Sequence, residues 1–477
     1  MKFGYIAILG ISILIVAVMT QMLPAGLLLI ILIMSVLLIS WRSEFLIYGI
    51  LLFALLSVMP SLNSEADAFQ LLIVPGLTAN LFGILRGLIA IVVIIKVALI
   101  FVKRFSFVRL NKFFFFLLLY AAISLIWGQP YLLGEGLRLL TEFGLAFGVY
   151  YMCINMGAQE GRGIWLIKVF GIFAIITAVG SLLFPNFLSE IAISMASVDR
   201  GERLIGITAS PNILAGNLTV FIALSTAILV TPRVPRHFRY LSWFVLILSI
   251  VPLLLTFSRS GWIGSGLAIA LALSFRRRWK VLILFSIAVF FLLFGSQIGN
   301  RFLGDWQHAI YESDWANTRG YQNLYGRVEI LWLPALRELV TPWSFFVGNG
   351  AGMARYWSFS VSGGGLHSEL LQNFLNFGFI GTAILLAAFW AILRRSYRLF
   401  LIANEPSSSA IGLAAICVVA GMFPKFLWDH LLNAPCSWMM LMICGVANGL
   451  GIQVGSPQQP DSLFIHEKET NSNWRGS

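Results

Sequence analysis

Runs of about twenty apolar residues recur along most of this chain, separated by short polar connections, and each run is long enough to cross a hydrocarbon core of about 30 Å as a helix. A backbone in lipid must satisfy its own hydrogen bonds, so such runs fold as helices. A membrane β-barrel would instead show ten-residue segments of alternating polarity, which are absent. Hydrophobic residues make up 59% of the 477 positions and charged residues 11%, a balance unsuited to a water-soluble domain. The pattern predicts an all-α, polytopic transmembrane bundle of about twelve to fourteen spans. The spans are expected to start near Phe3, Ala25, Phe45, Leu81, Phe113, Leu137, Ile164, Asn212, Leu241, Gly261, Val281, Leu370, Ala410 and Leu431. Phe3 to Met22 reads as a retained span, because Ala25 to Ser40 follows without a convincing cleavage site. Helices are expected to break near Pro252 and Pro424.

Position along the chain explains the net charge of +12 without a nucleic-acid partner. Basic clusters occupy alternate connections: Lys103, Arg104, Arg109 and Lys112; Arg233, Arg236 and Arg239; Arg276, Arg277, Arg278 and Lys280; Arg394, Arg395 and Arg398. Under the positive-inside rule these face the cytoplasm, together with both termini. Residues 1–163 then form N-terminal spans, 164–452 a second membrane domain containing the outward loop 300–367, and 453–477 a disordered cytoplasmic tail. Cys153, Cys417, Cys436 and Cys444 fall inside spans as small apolar residues, with no disulfide or zinc pattern.

Four outward connections carry charges that topology does not require. In Asn186 to Asn212, Asp199-Arg200-Gly201-Glu202-Arg203 precedes Pro211-Asn212; a local ion pair accounts for Arg200, whereas Arg203 is a functional candidate. In Ser258-Arg259-Ser260-Gly261, Arg259 sits at the edge of the hydrocarbon, where a guanidinium is costly unless it snorkels or meets an anion. The long loop holds apolar residues three and four apart from Gly326-Arg327 to Leu339, predicting an amphipathic helix along the membrane surface. Its Gly348-Asn349-Gly350-Ala351-Gly352 and Gly363-Gly364-Gly365 stretches offer turns whose amides can approach a ligand. It closes on His367-Ser368-Glu369, at the mouth of a span. Lys425 to His430 adds Asp429, most simply a helix-end charge. Arg86, Lys96, Arg138 and Glu142 lie within or near spans, with Arg138 and Glu142 one helical turn apart and able to pair.

An outward arginine before Pro211-Asn212, Ser258-Arg259 between two spans, Gly326-Arg327 in the loop and His367 at its end occur in one order that resembles the O-antigen ligase and O-antigen polymerase superfamily. His367-Ser368, nine residues, Gly378, two residues and Gly381 is similar to the ligase pattern. The likeness covers roughly Ile164 to Phe389. It implies an inverting, metal-independent glycosyltransferase of the bacterial inner membrane, its site facing the periplasm. The donor would be an undecaprenyl-diphosphate-linked glycan and the acceptor lipid A-core or, in a polymerase, a growing glycan. Arg203, Arg259 and Arg327 would bind the diphosphate, with Arg203 and Arg259 also assisting catalysis, and His367 would act as base or only position the diphosphate. The chain has no DxD motif, and no cofactor is expected. Ligase and polymerase both remain open, the His367 pattern favouring the first and the span count the second. A lipid-linked-glycan flippase is a third reading, against which stand the long loop and the lack of repeated halves.

Overall fold

The computed structural model describes residues 71–74, 77–79, 93, 96–97, 112–183, 204, 211–295, 328, 332–339, 341–354, 366, 368–428 and 435–455. Twelve α-helices occur among them: α1 (Lys112–Ser124), α2 (Leu133–Gly157), α3 (Arg162–Leu183), α4 (Pro211–Val230), α5 (Arg236–Leu255), α6 (Arg259–Phe275), α7 (Trp279–Gly295), α8 (Leu333–Arg337), α9 (Pro342–Val347), α10 (Glu369–Ile402), α11 (Pro406–Trp428) and α12 (Pro435–Gly455). Ten coincide with predicted spans, from the one expected at Phe113 to the one expected at Leu431. The spans expected from Phe3, Ala25, Phe45 and Leu81 lie outside the described residues, except that Val93, Lys96 and Val97 are helical. A small antiparallel hairpin pairs Leu71–Val74 with Leu77–Ala79, a local addition to an all-α architecture.

Seven of these helices are long and apolar enough to cross a membrane, so the chain is a multi-pass membrane protein. Burial ranks them. In the most apolar windows of α4 and α11, 83% of residues are buried, against 33% for α5, so α4 and α11 form the centre and α5 lies outside. The outer face of α5 carries Trp243, Phe244 and Ile247, and α7 carries Ile283, Leu284 and Phe290, all exposed as lipid-facing side chains are.

Hydrophobic burial gives little drive for helix association in lipid, so close packing of small residues has to supply it. Along the α4–α6–α11 seam, Gly261 lies against Ala215, and Gly264 against Gly421 and Thr219, with no room for a Cβ at Gly264. The Thr219 hydroxyl donates to the Ala215 carbonyl at 2.7 Å and receives the Ser265 hydroxyl at 3.0 Å. Between α2 and α12, Gly445 and Gly449 press on the Tyr150 and Ile154 carbonyls, and Asn448 Nδ2 donates to Tyr150 Oη at 2.6 Å. Arg138 and Glu142 do pair, 3.4 Å apart. All four cysteines are buried.

Contrary to expectation, helices continue through both Pro252 and Pro424. Pro252 lies four residues before the end at Thr256, whose N–H still reaches the Pro252 carbonyl, so the missing donor costs one bond. The interruption falls instead at Gly378 of α10, with φ 62° and ψ −162°.

Helix directions fix which connections share an end. The Arg276 Nη2 donates to Ser409 Oγ at 2.8 Å, and its guanidinium covers the Phe400 ring at 4.6 Å. The end of α6, the end of α10 and the start of α11 therefore meet, bringing Arg276–Arg278 and Arg394, Arg395 and Arg398 to one end. Partial burial lowers the Arg276 pKa from its ordinary value, yet a guanidinium remains charged. The starts of α4, α6, α10 and α12 and the end of α11 lie at the opposite end.

Candidate functional site at the Arg259 turn

Three residues, Thr256 to Ser258, carry the chain from α5 to α6. The turn is held tightly: Thr256 Oγ1 donates to the Leu253 carbonyl at 2.7 Å and accepts from the Ser258 N–H at 3.2 Å, and Trp262 Nε1 donates to the same carbonyl at 3.0 Å. Phe257 takes φ 49°, a left-handed conformation disfavoured for a bulky side chain, of the strained kind that clusters at functional sites. This turn sets Ser258 as the residue preceding α6 and Arg259 as its first residue, half-buried.

The end of α11 meets this turn. Lys425 has 0% exposure, and its Nζ donates to Ser260 Oγ at 3.4 Å. Ser260 Oγ in turn lies 3.4 Å from Ser258 Oγ. Two cationic residues and two hydroxyls thus flank a helix start whose partial charge is positive and which has no acidic residue in its first turn. The arrangement suits an anion with several oxygens, because charged donors bind such groups more strongly than neutral ones.

The described sequence neighbours of other predicted positions are held as follows. Leu204 donates its N–H to the Leu255 carbonyl at 2.9 Å, joining the chain just after position 203 to the end of α5. Trp332 Nε1 donates to the Leu366 carbonyl at 2.9 Å, and Ser368 caps α10 by accepting the Leu371 N–H. Arg203, Arg327 and His367 themselves lie outside the described residues, as do Arg200 and Asp429.

The loop differs from expectation in two respects. Of the helix expected over 326–339, the described residues include the five-residue α8 (Leu333–Arg337), with Trp332 and Val328 in π-helical geometry. It docks on protein: Ala335 and Leu339 cluster with Ala354, Leu366 and Leu375. Of the amides expected to approach a ligand, Gly363–Gly365 lie outside the described residues, whereas those in the 348–352 stretch are engaged. Asn349 and Gly350 N–H donate to the Leu375 and Asn376 carbonyls, both at 3.0 Å, and the Ala354 N–H donates to Asn376 Oδ1 at 2.8 Å. The break at Gly378 releases carbonyls of α10, and the glycine loop takes them up. Ala351 N–H and Tyr120 Oη then pin the same loop to α1, through Ser124 Oγ and the Val347 carbonyl. Gly378 of the His367 pattern is therefore the docking point of the loop, while Gly381 packs beside Phe377 and Tyr120.

Lys425, Trp332 and Phe257 were not singled out by sequence reasoning. Only Lys425 gave a signal, a charge closing an apolar run, and the run cannot show whether that charge faces lipid or protein. The chain matches no protein-family model and no curated protein.

Proposed function

We propose that this protein is an O-antigen ligase-like glycosyltransferase that moves a glycan from undecaprenyl diphosphate to lipid A-core. The observation that supports the reading best is Arg259 beside Ser258, Ser260 and buried Lys425, at the end of the bundle opposite the basic connections. Under the positive-inside rule that end faces the periplasm of a bacterial inner membrane, and both termini are cytoplasmic. Lipid-linked donors present their diphosphate at this depth.

The acceptor hydroxyl attacks the anomeric carbon, and the bond from that carbon to the diphosphate oxygen breaks with inversion. The leaving diphosphate takes the electron pair, and the hydroxyl proton passes to a base. Arg203, Arg259 and Arg327 stabilise the charge that grows on the phosphates, by an electrostatic effect strongest in a poorly hydrated site. His367 serves as the base, its ordinary pKa being suited to the task, or else orients the diphosphate. No metal and no cofactor enters the scheme.

The test is transfer by purified protein from undecaprenyl-diphosphate glycan, with EDTA present, for wild type, Arg259→Ala and His367→Ala. Product formed by wild type and lost in Arg259→Ala supports the reading. Product on lipid A-core marks a ligase. Elongated lipid-linked glycan marks a polymerase, which the expected fourteen spans favour. Passage of the donor across proteoliposomes without any product would replace the enzyme with a flippase.

A further inference from the structure

We infer that the short helix α9 anchors its loop in the bilayer: Trp343, Phe345 and Phe346 insert into the leaflet at the end of the bundle opposite the basic connections, and the partner of this face is lipid, a role that goes beyond the glycosyltransferase reading and does not rest on it.

The sequence of α9, Pro-Trp-Ser-Phe-Phe-Val, holds no charge, and its rings point outward. Trp343 is 64% exposed, Phe345 41% and Phe346 51%, whereas Ser344 between them is buried. Polar groups of the turn are taken up locally. Thr341 Oγ1 accepts the Ser344 N–H at 3.1 Å, the Thr341 carbonyl accepts the Phe345 N–H at 2.9 Å, and the Val347 carbonyl accepts the Tyr120 hydroxyl at 3.1 Å. A backbone that meets lipid needs its groups satisfied within the protein in this way.

Depth along α10 shows what covers these rings. Phe379, Ala383, Leu386 and Trp390 form an exposed stripe at helical spacing, which runs on to exposed Arg394 at the basic end. A hydrocarbon core of about 30 Å holds about twenty helical residues, so counted back from Arg394 it ends near Phe374. Phe379, about 22 Å from Arg394, then lies inside the core. Phe345 touches both: its ring centroid is 5.5 Å from that of Phe374 and 6.4 Å from that of Phe379, on which it stacks at 6°. The Phe346 ring also meets Phe379, at 6.4 Å. The two phenylalanines of α9 therefore sit across the boundary and continue the lipid-facing stripe of α10. Trp343, beside Trp127 at 6.4 Å, is of the residue type enriched at that boundary. In water, Phe345, Phe346 and Phe379 would instead form a contiguous exposed apolar patch.

The test uses the full-length protein in lipid nanodiscs. Trp343→Cys and Phe346→Cys are made singly, so that either decides if the other fails to fold, and each is labelled with a nitrobenzoxadiazole dye. The four native cysteines are buried, and wild type treated identically supplies the background. Leu386→Cys, about 12 Å from Arg394 on the same stripe, is the reference for the middle of the core, and Asn404→Cys, exposed between α10 and α11, is the reference for water. Lipid spin-labelled near its headgroup should quench the dye at 343 and 346 more strongly than lipid spin-labelled at the chain end, with the reverse order at 386 and little loss at 404. The loss should be equal in zwitterionic and anionic bilayers, because α9 has no charge. Dyes at 343 and 346 that behave like the one at 404 and are quenched by aqueous iodide overturn the inference. Quenching confined to anionic bilayers overturns it as well, by assigning the contact to charged neighbours. Dyes shielded from lipid and water alike give the face to a second copy of the chain and overturn lipid as its partner.

Discussion

Substituting alanine for Gly378 adds a methyl group where α10 is interrupted, and its cost can be worked out from the backbone. At φ 62° and ψ −162° the residue occupies a region in which a side chain is strained by about 1–3 kcal/mol. The new Cβ would also stand 2.5 Å from the Gly348 nitrogen and from the Phe346 carbonyl carbon and oxygen, all backbone atoms that cannot swing aside. To relieve this, the loop must lift from α10 and give up the bonds from Asn349 and Gly350 to the Leu375 and Asn376 carbonyls, at about 1 kcal/mol each. The total is about 3–5 kcal/mol, which corresponds to a fall of about 5 °C or more in apparent melting temperature for a protein of this size. Tryptophan fluorescence during heating in detergent reads the shift directly. Gly348→Ala should behave similarly, since its φ is 81° and its Cβ would lie 2.5 Å from the Gly378 nitrogen. Once either substitution has lifted the loop, the other adds little, so the double variant should cost clearly less than the sum. A Gly378→Ala protein melting within about 1 °C of wild type, or strict additivity of the pair, would refute the account of α10 as a helix interrupted to receive the loop.

The seam of α4, α6 and α11 gives a paired prediction. Gly264→Ala should destabilise by about 1–3 kcal/mol, because its Cβ collides with the Gly421 carbonyl, whereas Gly266→Ala, with nothing within 4 Å, should be neutral or gain up to about 1 kcal/mol; melting in detergent separates them. At the other end, Arg276→Ala loses the Ser409 hydrogen bond and the Phe400 contact at a half-exposed site, an expected cost of about 1–2 kcal/mol. Arg276→Lys should recover only part of it, and equal melting temperatures for wild type and alanine would refute a clamp between α6, α10 and α11.

Apolar run length was enough to locate ten helices to within a few residues, because a chain in lipid has one way to satisfy its backbone and the bilayer sets the length. Charge alternation was equally legible, and the described helices do gather Arg276 and Arg394 at one end and Arg259 at the other. Local pattern failed where two distant segments share hydrogen bonds. The glycines at 348–352 read as a ligand loop and Pro252 as a break, yet the interruption lies at Gly378, where a loop stands ready to take the freed carbonyls. Lys425 shows the same limit. The sequence alone determined that this chain spans a membrane, how its spans are spaced and which connections carry unexpected charge, since those depend on solvent and on position along one dimension. Only the tertiary structure decided that Lys425 turns inward through the gap at Gly216 toward Ser260, because that direction is set by residues 165 to 209 positions away in the chain, brought within contact by close helix packing.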